Sequence, residues 1–197
     1  MSLLEVDALE VSIALRHGGT VLPVRDVALS VSPGETLAVV GESGCGKSMT
    51  CLALAGLLPR RARISSGALR LEGTDLTRLA PREARHVRRR AMASVFQDAT
   101  NGLNPVRSIG WQIAEAMRLR RGATRAEAKR EAVRLLGRVG LPEPEKRARE
   151  FPHQFSGGMN QRAMIALAIA GRPKLLIADE ATTALDVTIQ AQILDLI

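Results

Sequence analysis

Residues 41–48 read Gly41-Glu42-Ser43-Gly44-Cys45-Gly46-Lys47-Ser48, which fits G-x-x-x-x-G-K-[ST] at every fixed position. The short apolar run Thr36 to Val40 comes just before it, and a helix is expected just after it, through Met49 to Leu57. A continuous apolar run of that length is the pattern of a strand buried in a parallel sheet. Strand, glycine loop and helix in that order predict an α/β fold with ligands at the strand end. Glycines let the backbone curl so that consecutive N–H groups face one point. The helix that follows turns its positive end toward the same point. Such a cradle suits phosphate, with Lys47 reaching the β- and γ-phosphates and Ser48 coordinating Mg²⁺.

Composition narrows the setting. A chain of 197 residues can hold one good core, or a core plus a small subdomain. It carries a net charge of +8, and 24 of its 28 basic residues are arginine. Single-strand nucleic-acid binders interleave charge with aromatic stacking platforms. This chain has no Tyr, three Phe and one Trp, so no nucleic-acid partner is expected. The arginines read as a codon-biased surface, or as a basic face near phospholipid head groups. Cys45 and Cys51 lack metal or disulfide spacing and read as reduced thiols, Cys45 being a small filler or a redox-sensitive position. The acidic N-terminus does not resemble a signal peptide. The longest apolar runs, such as Ala163 to Ala170, are well short of the roughly 20 residues that span a bilayer. A soluble protein is expected, docked at a membrane if it works there.

Along the chain, residues 3–14 and 21–31 alternate apolar and polar and predict two strands of a half-solvated sheet. Pro33-Gly34 marks a turn, and Pro59 with the Arg60 to Arg63 cluster is expected to end the first helix. Ala68 to Leu71 and Met92 to Phe96 read as strands, the second delivering Gln97. From Asp98 to about Phe155 the sequence becomes helix-rich. Thr124 to Val139 has an apolar stripe at Ala128, Ala132, Leu135, Leu136 and Val139. The expected division is 1–97, first part of a nucleotide-binding core; 98–155, a helical subdomain; and 156–197, the resumed core.

Ser156-Gly157-Gly158-Met159 opens a second helix whose body is almost wholly apolar and hence buried. Ser156 suits the N-cap, and the glycines keep the first N–H groups bare. Downstream, the apolar run Leu175 to Ala178 ends in Asp179-Glu180, and Ala184-Leu185-Asp186 follows. The glycine loop, a Ser-Gly-Gly helix start and a strand ending in Asp-Glu, taken together, resemble the ATP-binding cassette (ABC) family over nearly the whole chain. The resemblance implies a P-loop, RecA-like core with an inserted helical subdomain and an N-terminal antiparallel β part. It makes residues 41–49, including Met49, the nucleotide cradle. Asp179 becomes the Mg²⁺-associated acid, Glu180 the general base, and Gln97 a Q-loop amide that ligates Mg²⁺ and reports γ-phosphate occupancy. Ser156, Gly157, Gly158 and Met159 would close the nucleotide site of a second subunit, and Asp186 would link the two sites across the dimer.

Met159 and the segment Gly102-Leu103-Asn104-Pro105 to Ile109-Gly110-Trp111-Gln112-Ile113 are similar to oligopeptide, dipeptide and nickel importers. There Trp111 is either a core anchor or a docking residue, and His153 a loop-packing residue. Asn160 replaces the usual Arg, which bears on a local surface contact, and Ala181 replaces a common Pro. The aromatic that stacks on adenine is missing; the nearest candidate is His17, which also reads as a turn residue. The switch histidine expected beyond Asp186 is absent, so the chain reads as C-terminally truncated and weakly active or inactive as it stands. The implied protein hydrolyses ATP with Mg²⁺ at the cytoplasmic face of the membrane. Its expected partners are a second ATP-binding subunit, an integral membrane permease and, indirectly, a substrate-binding protein. Two alternatives stand beside this reading: an ATP-binding regulatory module without turnover, and a non-transport ABC ATPase. In the expected topology the strand bearing the switch histidine separates Thr36–Val40 from Leu175–Ala178, so Val39 and Ile177 should share no ladder.

Overall fold

The alternating N-terminal stretch pairs into a four-stranded antiparallel sheet in the computed structural model, which describes residues 2–96, 102–179 and 190. The chain forms two compact units, residues 1–92 and 93–197. In the first, β1 (Leu4–Ala14) lies between β2 (Thr20–Val31) and β3 (Ala62–Leu71), and β4 (Thr74–Asp75) edges β3. Leu4 and Val6 point inward, and so do Leu9 and Val11, all 4% exposed or less. The inward positions change from even to odd numbers because the β1–β3 register shifts between Asp7 and Glu10. Ala8 sits there at φ 46° and faces Gly67 at φ 89°. A Cβ on Gly67 would run into the Ala8 carbonyl, so this bulge requires glycine.

Ser32 to Glu35 closes a turn through Glu35 N–H to the Ser32 carbonyl (3.1 Å), with Pro33 and Gly34 (φ 77°) at its centre. Residues 36–40 then depart from expectation. They form no strand, and Leu37, Val39 and Val40 are 43%, 56% and 92% exposed. Apolar content suits a buried strand, but a strand exists only through ladder partners, and among the described residues 36–40 has none. Val39 and Ile177 accordingly are not ladder partners.

Helix α1 (Lys47–Ala55) begins two residues earlier than expected and stops at Gly56, not at Pro59. Gly56 adopts φ 71°; its N–H reaches the Ala53 carbonyl (3.1 Å) and Leu57 N–H reaches Leu52 (2.9 Å), a Schellman closure. Helix α2 (Pro81–Ala91) was not expected from the sequence. Its start carries Pro81 at the first position and Glu83, whose carboxylate accepts from Ala80 N–H at 3.2 Å. Arg88 on this helix donates from Nε to the Leu54 carbonyl near the end of α1 (2.9 Å), and burial pulls its guanidinium below the usual range. Arg88→Ala should strand that carbonyl and cost about 1.5–3 kcal/mol, read as a lowered denaturation midpoint. An unchanged midpoint would show that the bond is idle.

In the second unit, β5 (Met92–Val95) pairs with β6 (Leu175–Ala178). Helices α3 (Ile109–Arg121), α4 (Arg125–Arg138) and α6 (Gly157–Ala170) share one apolar core, with the short α5 (Pro144–Arg147) between α4 and α6. The predicted stripe is inside: Ala128, Ala132, Leu135, Leu136 and Val139 are each 4% exposed or less. Thr124 caps α4, accepting from Glu127 N–H at 3.3 Å while Glu127 accepts from Thr124 N–H at 3.0 Å. α3 has no side-chain cap. Its first N–H groups, of Ile109 and Gly110, instead donate to the Glu150 and Ala148 carbonyls, both at 2.9 Å. A Cβ on Gly110 would come within 2.7 Å of that Ala148 oxygen, so glycine permits the approach.

Candidate functional site: phosphate loop, signature helix and an aromatic cleft

The phosphate loop lies in the first unit. Gly44 and Gly46 adopt φ 82° and 101°, and Gly46 serves as the N-cap of α1 in a left-handed conformation. A Cβ on Gly46 would strike the Pro23 carbonyl of β2, so the loop's contact with the sheet also depends on glycine. Lys47 curls across the loop, its Nζ donating to the Gly41 and Glu42 carbonyls, both at 2.7 Å, and lying 3.6 Å from Cys45 Sγ. A Cβ on Gly41 would come within 2.9 Å of the same sulfur, so Cys45 packs inside the loop curl while remaining exposed. Thr50, one turn into α1, holds the Gly46 carbonyl through its N–H (2.9 Å) and Oγ1 (3.0 Å). The result is a loop in which Gly44 and Gly46 take left-handed conformations, with one ammonium on its carbonyls and the N-terminus of α1 after it. Ser43, Ser48 and Met49 belong to the same loop and first turn.

The second set of predicted residues lies in the second unit. Ser156 caps α6, its Oγ accepting from Met159 N–H at 3.3 Å. A Cβ on Gly157 would meet nothing within 4 Å, so no neighbour within the chain demands glycine there. The helix body is buried as expected: Ala163, Ile165 and Ala166 are 0% exposed. Asn160 is not a surface residue. It is 5% exposed, and its Nδ2 donates to the Pro152 carbonyl at 3.1 Å, tying the turn before Ser156 to α6. Arg162 braces the same end, donating to the Gly158 carbonyl at 3.3 Å and to Gly140 at 2.7 Å. Asp179 N–H donates to the Val95 carbonyl at 2.9 Å, so β5 and β6 end side by side. Gln97, Glu180, Asp186 and the helix expected from about Thr188 lie outside the described residues, except for Gln190, which is helical.

Of the two readings of Trp111 the core anchor fails, while His153 packs within its loop against Phe151. Trp111 is 45% exposed on α3 rather than a core anchor, because its inward neighbours Ile109, Gly110, Gln112 and Ile113 take the buried face. The Arg107 guanidinium lies over its ring at 4.6 Å. The loop that carries Arg107 is pinned by Gln112, whose amide bonds Asn104 N–H (2.8 Å) and the carbonyls of Asn104 and Arg107 (both 3.0 Å). His153 is exposed and stacks on Phe151 at 5.7 Å between centroids. Trp111 and Phe151 line one cleft of about 540 Å³ together with Ala114, Val133, Arg118 and Lys129. His17 lies in the exposed turn between β1 and β2, the turn-residue reading. Gln112 and Asn160 are loop anchors that the sequence alone did not disclose. Their signal was a polar side chain on the inward face of an apolar helix.

Comparison with known proteins supplies the last observation. Residues 24–183 match the sequence profile of the ABC transporter family. The chain is 46% identical over 200 residues to the dipeptide transport ATP-binding protein DppD of Escherichia coli, covering 100% of this chain and 60% of that one. It is 49% identical over 195 residues to the oligopeptide transport ATP-binding protein OppD of Bacillus subtilis, covering 98% of this chain and 54% of that one. The chain thus spans little more than half the length of these relatives. A dimeric structure of MJ0796, a bacterial ABC transporter cassette, superposes with a TM-score of 0.87 at 26% identity, covering 98% of this chain and 80% of that one. The fold is that of an ABC cassette, mixed α/β with an N-terminal antiparallel sheet. Loop, signature helix, strand pair and family match converge, and the chain belongs to the ABC transporter family.

Proposed function

We propose that the complete protein is the ATP-binding and hydrolysing subunit of an importer, its cargo peptides or nickel, at the cytoplasmic face of the membrane. Its partners are a second ATP-binding subunit, an integral membrane permease and, indirectly, a substrate-binding protein. The observation that carries this reading is the similarity, over 98% or more of this chain, to part of DppD and of OppD, named for dipeptide and oligopeptide transport. Residues 98–155 act as the helical subdomain set between the two parts of the core, 1–97 and 156–197. No helix among the described residues is long and apolar enough to cross a membrane. Co-purification with an integral membrane protein tests this reading, and a complete protein that hydrolyses ATP yet retains no membrane partner would favour a non-transport ATPase.

The phosphate loop fits a nucleotide on its own geometry. Gly46 cannot carry a side chain, and Lys47 is held at the loop by carbonyls rather than by a carboxylate. Residues 41–49 would hold the phosphates, while Ser48, Asp179 and Gln97 offer the oxygen ligands Mg²⁺ prefers. Bound Mg²⁺ supplies neutralisation of charge on the phosphate oxygens. Lys47 adds the point charge, Glu180 takes the proton of the attacking water, and Gln97 orients that water. Ser156 and Gly158 of one subunit donate to the γ-phosphate held by the other, and the open space at Gly157 leaves room for that approach. Asp186 links the paired sites.

The Trp111 cleft is the docking face for the permease. Trp111→Glu should reduce coupled transport by an order of magnitude or more, since a charge would enter an aromatic contact that must be desolvated. ATP hydrolysis by the isolated subunit should persist. Equal loss of both would return Trp111 to a structural role.

A further inference from the structure

We propose that the cleft formed by the C-terminal end of α3, the first half of α4 and the turn after α6 binds a phosphate-bearing anion. The cleft measures about 520 Å³, and its charged lining is Arg121, Arg130, Arg134, Arg172, Glu127 and Glu131. All of it belongs to the second unit. Both carboxylates are already committed. Glu131 takes Nε and Nη2 of Arg134, both at 2.7 Å. Glu127 accepts from Thr124 Oγ1 at 2.6 Å and Thr124 N–H at 3.0 Å. Among the described residues Arg121, Arg130 and Arg172 have no carboxylate within ion-pair distance.

The three guanidiniums converge from separate places in the chain. Glu131 is held below the usual carboxylate range first by its bond to Arg134, then by the charges of Arg134, Arg121 and Arg172. Glu127 is lowered first by Thr124, then by Arg130 and Arg121. Arg121 therefore lies within reach of both carboxylates, Arg130 of Glu127 and Arg172 of Glu131. Arg172 holds its place from a left-handed backbone at φ 49°, which an L side chain rarely adopts. Arg121, Arg130, Arg134 and Arg172 outnumber the carboxylates of Glu127 and Glu131, and a dianion would neutralise the excess positive charge. Phosphate suits the site better than a carboxylate, because several planar guanidinium forks can each donate in pairs to its oxygens. A small free phosphate and an anionic lipid head group present the same chemistry.

The test uses Lys47→Ala protein, so that the phosphate loop does not contribute. Inorganic pyrophosphate is titrated calorimetrically, and vesicles of phosphatidic acid in phosphatidylcholine are used in flotation. Binding of either probe, weakened roughly tenfold or more by Arg130→Gln with Arg172→Gln, is the expected result. Pyrophosphate binding assigns the site to a free phosphate, and flotation without it assigns the site to a head group. Failure of both probes, or binding unchanged by the double substitution, overturns the proposal. These side chains are exposed, so the double variant should melt with the parent. Should it not fold, Arg130→Lys with Arg172→Lys keeps the charge and loses the forks, and parental affinity in that variant would also overturn the proposal.

Discussion

Lys47→Ala in the complete protein is expected to abolish tight Mg-ATP binding. The loop offers many backbone N–H groups but a single full positive charge, and that charge is Lys47 Nζ. Its present partners are the Gly41 and Glu42 carbonyls at 2.7 Å, neutral groups that a phosphate oxygen outcompetes. Hydrogen bonds to charged groups contribute about 1.5–3 kcal/mol each, and an ammonium with three donors can make more than one, so a loss of two orders of magnitude or more is expected. The fold should survive, since Lys47 is held only by exposed loop contacts. Calorimetric titration with Mg-ATP checks this, and parental affinity in the variant would remove Lys47 from the site.

The second large effect concerns Glu180, next to Asp179 at the end of β6. Glu180→Gln in the complete protein should retain ATP binding and accumulate an ATP-bound dimer. The amide preserves shape and hydrogen-bonding reach but is a poor base, so the step that reopens the dimer is lost while the step that closes it remains. Hydrolysis should fall by roughly 10²–10⁴-fold, the usual contribution of a positioned general base. Size-exclusion chromatography with ATP reads the dimer, and phosphate release reads the rate. Hydrolysis at the parental rate would show that Glu180 is not the base and would favour attack assisted by the substrate itself, with Gln97 orienting the water.

Much of this was legible because local chemistry and tertiary demand agree. The glycines of 41–48, the Ser156 cap and the stripe from Ala128 to Val139 each announce a conformation that only one environment satisfies. Residues 36–40 were misread because their apolar pattern speaks of burial, whereas a strand depends on a partner elsewhere in the chain. Gly56 was passed over in favour of Pro59 and the arginines, although an αL closure ends a helix sooner than a downstream proline does. α2 was missed because its solvent face is a dense run of arginines, with Ala84 and Ala91 alone fully buried, so the usual apolar periodicity is faint. The two readings of Trp111 could not be separated by residue type: an aromatic is usually core, but here α3 buries Ile109 and Ile113 and turns the indole outward under Arg107. Gly110 hid its purpose because the chain it accommodates, at Ala148, is remote in sequence.

In the proposed function, ATP turnover in the complete protein is coupled to a membrane partner. The most direct measurement is phosphate release by the complete protein reconstituted in vesicles with its co-purifying permease and binding protein, with and without candidate cargo. Hydrolysis is expected to rise when a peptide or nickel is supplied with the binding protein and to be lost in Lys47→Ala. A rate indifferent to permease, binding protein and cargo alike would contradict it.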